Sequence, residues 1–238
     1  MPDRIILINK PYRWTSFDVV KKLRKPLLEE KRRDPLQLHG SEIKKLKVGH
    51  AGTLDPLATG LLVLCSGKLT QQISIIQDAE KEYTGTLVLG SITNSYDLET
   101  TPQHFSTIDF ITDEKVNKEA TSFIGYQMQK PPLYSAIKVD GKRAYEKARR
   151  GEDFELKERG ITIKLFEIIS IKLPEVDFRI ICSKGTYIRT LVHDFGQRLL
   201  TGAYLSALCR TRIGDYHLRD ACSPDQFLSQ LVEKQNNQ

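Results

Sequence analysis

Residues 49–60 read GHAGTLDPLATG, and the apolar run LLVLC follows at once over 61–65. Gly52 admits backbone angles closed to other residues. Pro56 fixes its own φ and disfavours the helical region for Asp55. The segment therefore predicts a rigid loop that presents one carboxylate at a set angle, mounted on a buried strand. The same residues also fit a tight turn with a capping Asp.

The rest of the chain reads as alternating short elements. A strand is expected over 4–9. Thr15, with Asp18 three residues on, predicts a capped helix start, with Val19, Val20 and Leu23 facing inward. Pro26 is expected to end that helix, leaving 26–47 as a mobile basic loop. Further elements are expected as a strand at 61–65, a helix at 68–78, a strand at 81–91 and a helix at 113–123. A strand at 134–139 should turn through Asp140-Gly141 into a helix at 142–150. Strands at 160–173 and 176–183, a helix at 186–199, a strand at 203–213 and a helix at 224–233 capped by Ser223 complete the pattern. Strands outnumber helices and often follow one another directly. That predicts an α+β fold, with a mixed, mostly antiparallel central sheet and flanking helices, in a single domain over 1–238.

The 238 residues are 39% hydrophobic and 28% charged, which fits a globular chain. No apolar run approaches the roughly 20 residues of a membrane span, and the N-terminus lacks a signal-peptide pattern. These features predict a cytoplasmic protein without a membrane partner. Cys65, Cys182, Cys209 and Cys222 form no C-x-x-C pair and have no histidine at metal-ligand spacing. They read as reduced thiols, and no metal site is expected. His50 and Asp55, five apart, do not make a metal pair either.

The net charge is +6, and it is localised. Residues 21–47 hold ten Lys/Arg against four acids, and residues 138–150 hold six against two. Such patches are the footprint of a polyanion, commonly nucleic acid, although surplus surface lysine gives the same count.

GHAGTLDPLATG resembles the catalytic-aspartate motif of the TruB family of pseudouridine synthases. INKPYRWTSFDVV (8–20), KEYTGTLVLGSITNSYDLET (81–100), PPLYSAIKVDGKRAYEKARRG (131–151) and CSKGTYIRTLVHDFGQRL (182–199) resemble four further family blocks, in the family's order. The resemblance implies isomerisation of uridine 55 in the T-arm loop of tRNA, by base flipping, with no cofactor and no protein partner. It implies Asp55 as the catalytic carboxylate and Arg189 as its orienting partner. Tyr83 would stack on the flipped uracil, Tyr187 and Leu208 would line the base pocket, and His50 would contact the RNA loop. Lys10, in the Lys-Pro pair, would support the Asp55 loop. Lys138, Lys142, Arg143, Lys147, Arg149 and Arg150 are expected to meet RNA phosphates without reading sequence.

Taken blind, Arg189 fits a surface helix position, Tyr83 a packing residue of an alternating strand, and Leu208 plain core. About 25 residues follow the last matched strand, too few for the C-terminal RNA-binding domain of PUA type that many relatives carry. The expectation is thus a catalytic domain with a short stub. The alternative is an RNA-binding or tRNA-refolding protein with weak or lost catalysis. An aspartate-dependent hydrolase is disfavoured, because glycosidases generally use two carboxylates and the motifs supply one.

Overall fold

The computed structural model describes residues 3–33, 45–135, 137–139 and 141–236. The elements run β1 (Ile5–Lys10), α1 (Ser16–Arg33), β2 (Val48–His50), β3 (Thr59–Ser66) and α2 (Ile73–Asp78). Then come β4 (Lys81–Leu89), β5 (Ser91–Ile92), β6 (Gln103–His104), α3 (Asp113–Ser122), β7 (Gly125–Gln129), β8 (Lys138–Val139) and β9 (Lys142–Arg143). The chain continues through α4 (Ala144–Arg149), β10 (Arg159–Lys172), β11 (Glu175–Cys182), α5 (Ile188–Arg198), β12 (Ala203–Ile213), β13 (Tyr216–His217) and α6 (Pro224–Asn236). The fold is α+β with a mostly antiparallel sheet and flanking helices, as expected. The chain forms two compact units, one from residues 1–81 and 209–238, the other from 82–208.

In the first unit β3 is the hub. It pairs antiparallel with β1, from Ile5 opposite Cys65 to Lys10 opposite Gly60, and antiparallel with β2. Its start runs parallel to β12, with Gly60 opposite Arg210. Side chains alternate across a strand, so β3 feeds two cores. Leu62 and Leu64 pack with Ile6, Ile8, Val19, Leu23, Leu27 and Phe227. Leu61, Val63 and Cys65 pack with Ala51, Ile76 and Ile213 on the other face.

The helix start at Thr15 is the expected capping box. The Asp18 backbone N–H donates to the Thr15 hydroxyl at 3.0 Å, and the Thr15 backbone N–H donates to the Asp18 carboxylate at 2.8 Å. Its end is a correction. Pro26 lies inside α1, which continues to Arg33. Residues 26–33 are therefore helical and not loop, and the remainder of the expected loop, residues 34–44, lies outside the described residues. An internal proline costs a helix about 3 kcal/mol. Against that, Leu23 and Leu27 flank it with no exposed surface, and each such burial is worth roughly 1.5–3 kcal/mol.

In the second unit the strand order is β12-β4-β11-β10-β7. Phe123, Phe166, Phe178 and Phe195 form its aromatic core, with ring centroids 5.3–6.1 Å apart in edge and tilted contacts. The strand expected at 134–139 shrinks to two residues, Lys138–Val139, paired with Lys142–Arg143; Asp140 of the expected turn lies outside the described residues. The helix expected at 142–150 starts two residues late, at Ala144.

Candidate active site

The Asp55 loop is held from three sides in the first unit. Ser16, the first residue of α1, is buried. Its hydroxyl accepts from the Leu54 N–H at 2.8 Å and donates to the Leu54 carbonyl at 3.2 Å. The Lys10 ammonium, fully buried, donates to the carbonyls of Trp14 at 2.6 Å, Pro11 at 3.0 Å and Pro56 at 3.3 Å. Arg13 N–H adds a bond to the Pro56 carbonyl, and Ala58 N–H closes a turn onto the Asp55 carbonyl at 3.1 Å. On the third side Arg210 donates to the carbonyls of Gly52 at 3.1 Å and Thr53 at 3.3 Å. Gly52 sits at φ +105°, in the left-handed region that its lack of a Cβ allows. The Asp55 side chain is left half-buried at the turn.

The electrostatics follow from that packing. Burial pulls the Lys10 ammonium down to about 8, with Asp55 and Asp18 pushing it up and Arg210 pushing it down. Lys10 thus senses both Asp55 and Arg210. His50 ends β2, and burial, reinforced by Arg210, lowers its imidazole below its ordinary value. A neutral ring at neutral pH can donate or accept a hydrogen bond, and its Nδ1 is buried without one among the described residues.

The second unit carries the other residues implied by the resemblance. Arg189 lies in the first turn of α5 and is only 3% exposed, which removes the surface-residue reading. Its Nε faces the Asp97 carboxylate at 3.6 Å, and its Nη1 and Nη2 donate to the carbonyls of Ser95 at 3.1 Å and Tyr134 at 2.9 Å. Tyr96, between Ser95 and Asp97, stands at φ +63° and stacks its ring on His193 at 3.9 Å. Tyr83 is buried in β4, and Leu208 is half-buried in β12. Tyr187 caps α5 through its backbone. The buried Gln129 amide donates to the Tyr187 carbonyl and accepts from its N–H, and the Arg159 guanidinium lies 4.4 Å above its ring.

Of the basic residues, Lys138, Lys142 and Arg143 are exposed on the β8–β9 pair. Lys147 is half-buried, with its ammonium over the Phe154 ring. Arg149 is held by Glu99 at 2.5 Å, and Arg150 faces Glu152 at 3.5 Å. Among the described residues no group of three or more His, Cys, Asp or Glu could hold a metal ion.

Sequence reasoning missed Arg210, Asp97, Gln129 and Ser16. Arg210 and Asp97 sit in charged, unremarkable stretches, ALCRTRI and SYDLET. The readable signal for Arg210 was a cation at an inward position of an alternating strand.

The family model described as "TruB family pseudouridylate synthase (N terminal domain)" matches residues 40–188, more than half of the chain. The chain belongs to the TruB family. That makes it a pseudouridine synthase, an RNA-modifying isomerase, by descent. It is 50% identical over 228 residues to a protein of Flavobacterium johnsoniae named tRNA pseudouridine synthase B, covering 96% of each. A protein of the same name from Phocaeicola vulgatus is 45% identical over 231 residues, 97% of this chain and 94% of that one. Among solved structures, a chain in "Crystal Structure of a Cbf5-Nop10-Gar1 Complex" superposes with a TM-score of 0.63 at 29% identity. The match covers 90% of this chain and 49% of that one. A chain in "Structure of H/ACA RNP bound to a substrate RNA containing 2'-deoxyuridine" shares the fold, with a TM-score of 0.68 at 23% identity. It matches over 98% of this chain and 55% of that one. This chain thus spans about half of each solved neighbour. The TruB match contains His50, Asp55, Tyr83 and Tyr187 within its span, and Arg189 directly follows it.

Proposed function

We propose that the protein converts uridine 55 in the T-arm loop of tRNA to pseudouridine, with Asp55 as the catalytic carboxylate. The observation that carries this reading is the Asp55 turn, held on both flanks by buried cations, in a chain alike over nearly its whole length to proteins named tRNA pseudouridine synthase B.

The reaction breaks the N1–C1′ bond of the uridine, turns the uracil and forms a C5–C1′ bond. The C5 proton is released and N1 takes one up, so atoms balance without a redox partner. A carboxylate on a fixed turn suits an attack on the sugar or a proton abstraction from it. Tyr83 and Tyr187 supply ring faces for an extruded base, Arg189 serves charge alignment, and Leu208 supplies an apolar wall. His50 contacts the RNA loop, and the β8–β9 pair with α4 meets its backbone. Among the described residues no helix is long and apolar enough to cross a membrane; a tRNA substrate supports reading the protein as cytoplasmic.

The deciding experiment is tritium release from tRNA labelled at C5 of uridine, for the wild type beside Asp55→Asn. Release by the wild type alone, mapped to one T-loop uridine, is expected. Tight tRNA binding by both proteins without release from either would favour the RNA-binding reading. Undiminished release by Asp55→Asn would remove Asp55 from the chemistry.

A further inference from the structure

Arg210 is the largest of the fully buried side chains, at 1% exposure. It stands on β12 opposite Gly60, the second residue of β3 after the Asp55 loop. All three guanidinium nitrogens go to backbone carbonyls. Nε donates to Leu61 at 2.9 Å, Nη2 to Gly52 at 3.1 Å and Nη1 to Thr53 at 3.3 Å. These carbonyls lie on both sides of Asp55 in sequence, so one rigid fork fixes where the loop leaves and where it rejoins the sheet. A Cβ at Gly60 would collide with the Arg210 backbone, so the approach of β3 to β12 is tight at this point.

Among the described residues the Arg210 side chain bonds to carbonyls and to no carboxylate, so no counter-charge is paired with it beside the turn. Salt-bridged arginines elsewhere, such as Arg212 with Glu80 at 2.6 Å, are compensated. The reach of the Arg210 charge is seen in Lys10 and His50, both of which it pushes toward the neutral form. A buried cation that meets no carboxylate among the described residues is costly for stability alone. An apolar residue in β12 would serve packing better.

We infer that Arg210 is a positioning residue for the pseudouridine synthase reaction: its guanidinium ties Gly52, Thr53 and Leu61 together and thereby sets the angle at which Asp55 is presented. This rests on the reading of Asp55 as the catalytic carboxylate. Lysine cannot reproduce the role, because it has no planar fork to span three carbonyls.

The test compares Arg210→Lys, Arg210→Met and Asp55→Asn with the wild type in single-turnover tritium release, tRNA filter binding and thermal unfolding. Misplacement of a reacting group by about 1 Å costs on the order of 100-fold in rate, so Arg210→Lys is expected to lose at least about ten-fold in single-turnover rate. Its tRNA affinity should stay within two-fold of the wild type. Arg210→Met should lose more. A merely structural role predicts loss of Tm and of binding together, with the rate of the folded fraction unchanged. That result, or a wild-type rate for Arg210→Lys, overturns the inference. If Arg210→Met does not fold, Arg210→Lys decides alone. Asp55→Asn separates the two claims: if it retains the wild-type rate, the reading of Asp55 fails whatever Arg210 shows.

Discussion

Asp194 shows at the scale of one residue what the packing of α5 costs. Burial lifts its carboxyl from an ordinary 3.8 to about 6, although Arg198 one turn later pulls the other way. The Tyr96 hydroxyl is pushed up in turn, by burial and then by Asp194. The sign follows directly. Between pH 4 and 6 the folded chain holds a proton that the unfolded chain has lost, so stability falls as pH rises through that window. At pH 8 the ionised, partly buried carboxylate carries the whole cost. Asp194→Asn is therefore expected to raise stability at pH 8 by about 1–2 kcal/mol, after discounting for its remaining exposure, and to change little at pH 4. Thermal melts of both proteins at the two pH values check this; a variant no more stable than the wild type at pH 8 refutes it. Little of this was legible in sequence, where HDF gives no sign of which carboxylate is buried. Asp55 was legible because glycine and proline restrict the backbone by themselves. Arg189 was placed by motif, and its burial beside Asp97 is a tertiary fact that no spacing within α5 encodes.

Elements were legible where an apolar period ran unbroken, as in β1, β3, α3, β10, β11 and α5. They failed where tertiary packing overrode a local rule. α1 runs through Pro26 because its leucine stripe continues onto the sheet. β7 was missed because its pattern is inverted, with Tyr126 and Met128 exposed while Gln129 points inward to bond the Tyr187 backbone. The junction of α5 and β12 gives a sharper test. The Gly196 carbonyl accepts from the N–H groups of Thr201 and Gly202, both at 3.0 Å, which folds the chain back tightly at the end of the helix. A Cβ at Gly196 would overlap the Gly202 carbonyl carbon and the Ala203 nitrogen, both of them backbone atoms unable to swing aside. Alanine is the better helix former, so propensity alone predicts stabilisation by roughly 1 kcal/mol. The overlap reverses the sign. Gly196→Ala is expected to destabilise by about 1–3 kcal/mol, seen as a lower urea midpoint at constant m-value. A raised midpoint would show that the junction relaxes at no cost.

Over the whole molecule the surplus of positive charge is the property that bears on RNA, and the exposure of each cation and what already holds it decide what it can offer a phosphate. Several charges of α1 are engaged within the protein: Lys22 with Asp225 at 2.5 Å, and Lys25 with Glu29 at 3.9 Å. In the stretch 138–150, Arg149 and Arg150 face Glu99 and Glu152, so moving them to a phosphate gives up an existing partner. Lys138, Lys142 and Arg143 are exposed together on one short hairpin, Lys138 directly opposite Arg143, and Arg143 also has an interaction within the protein. Each cation that neutralises an RNA phosphate releases condensed counterion, which steepens the fall of affinity with salt by about 0.7–0.9 per contact in a log–log plot. The triple change Lys138→Ala, Lys142→Ala, Arg143→Ala is therefore expected to flatten that slope by roughly two, and by about three at most. The double change Arg149→Ala, Arg150→Ala should flatten it by less than the roughly two that two fully committed cations would give. Because contacts of this kind carry no base information, the triple variant should still modify the same uridine, more slowly at subsaturating tRNA and at the wild-type single-turnover rate when tRNA saturates. Filter binding between 50 and 300 mM salt measures the slope, and tritium release at saturating tRNA measures the rate. An unchanged slope in the triple variant removes the hairpin from the RNA interface, and a lost rate at saturation assigns it to the chemistry of the site instead.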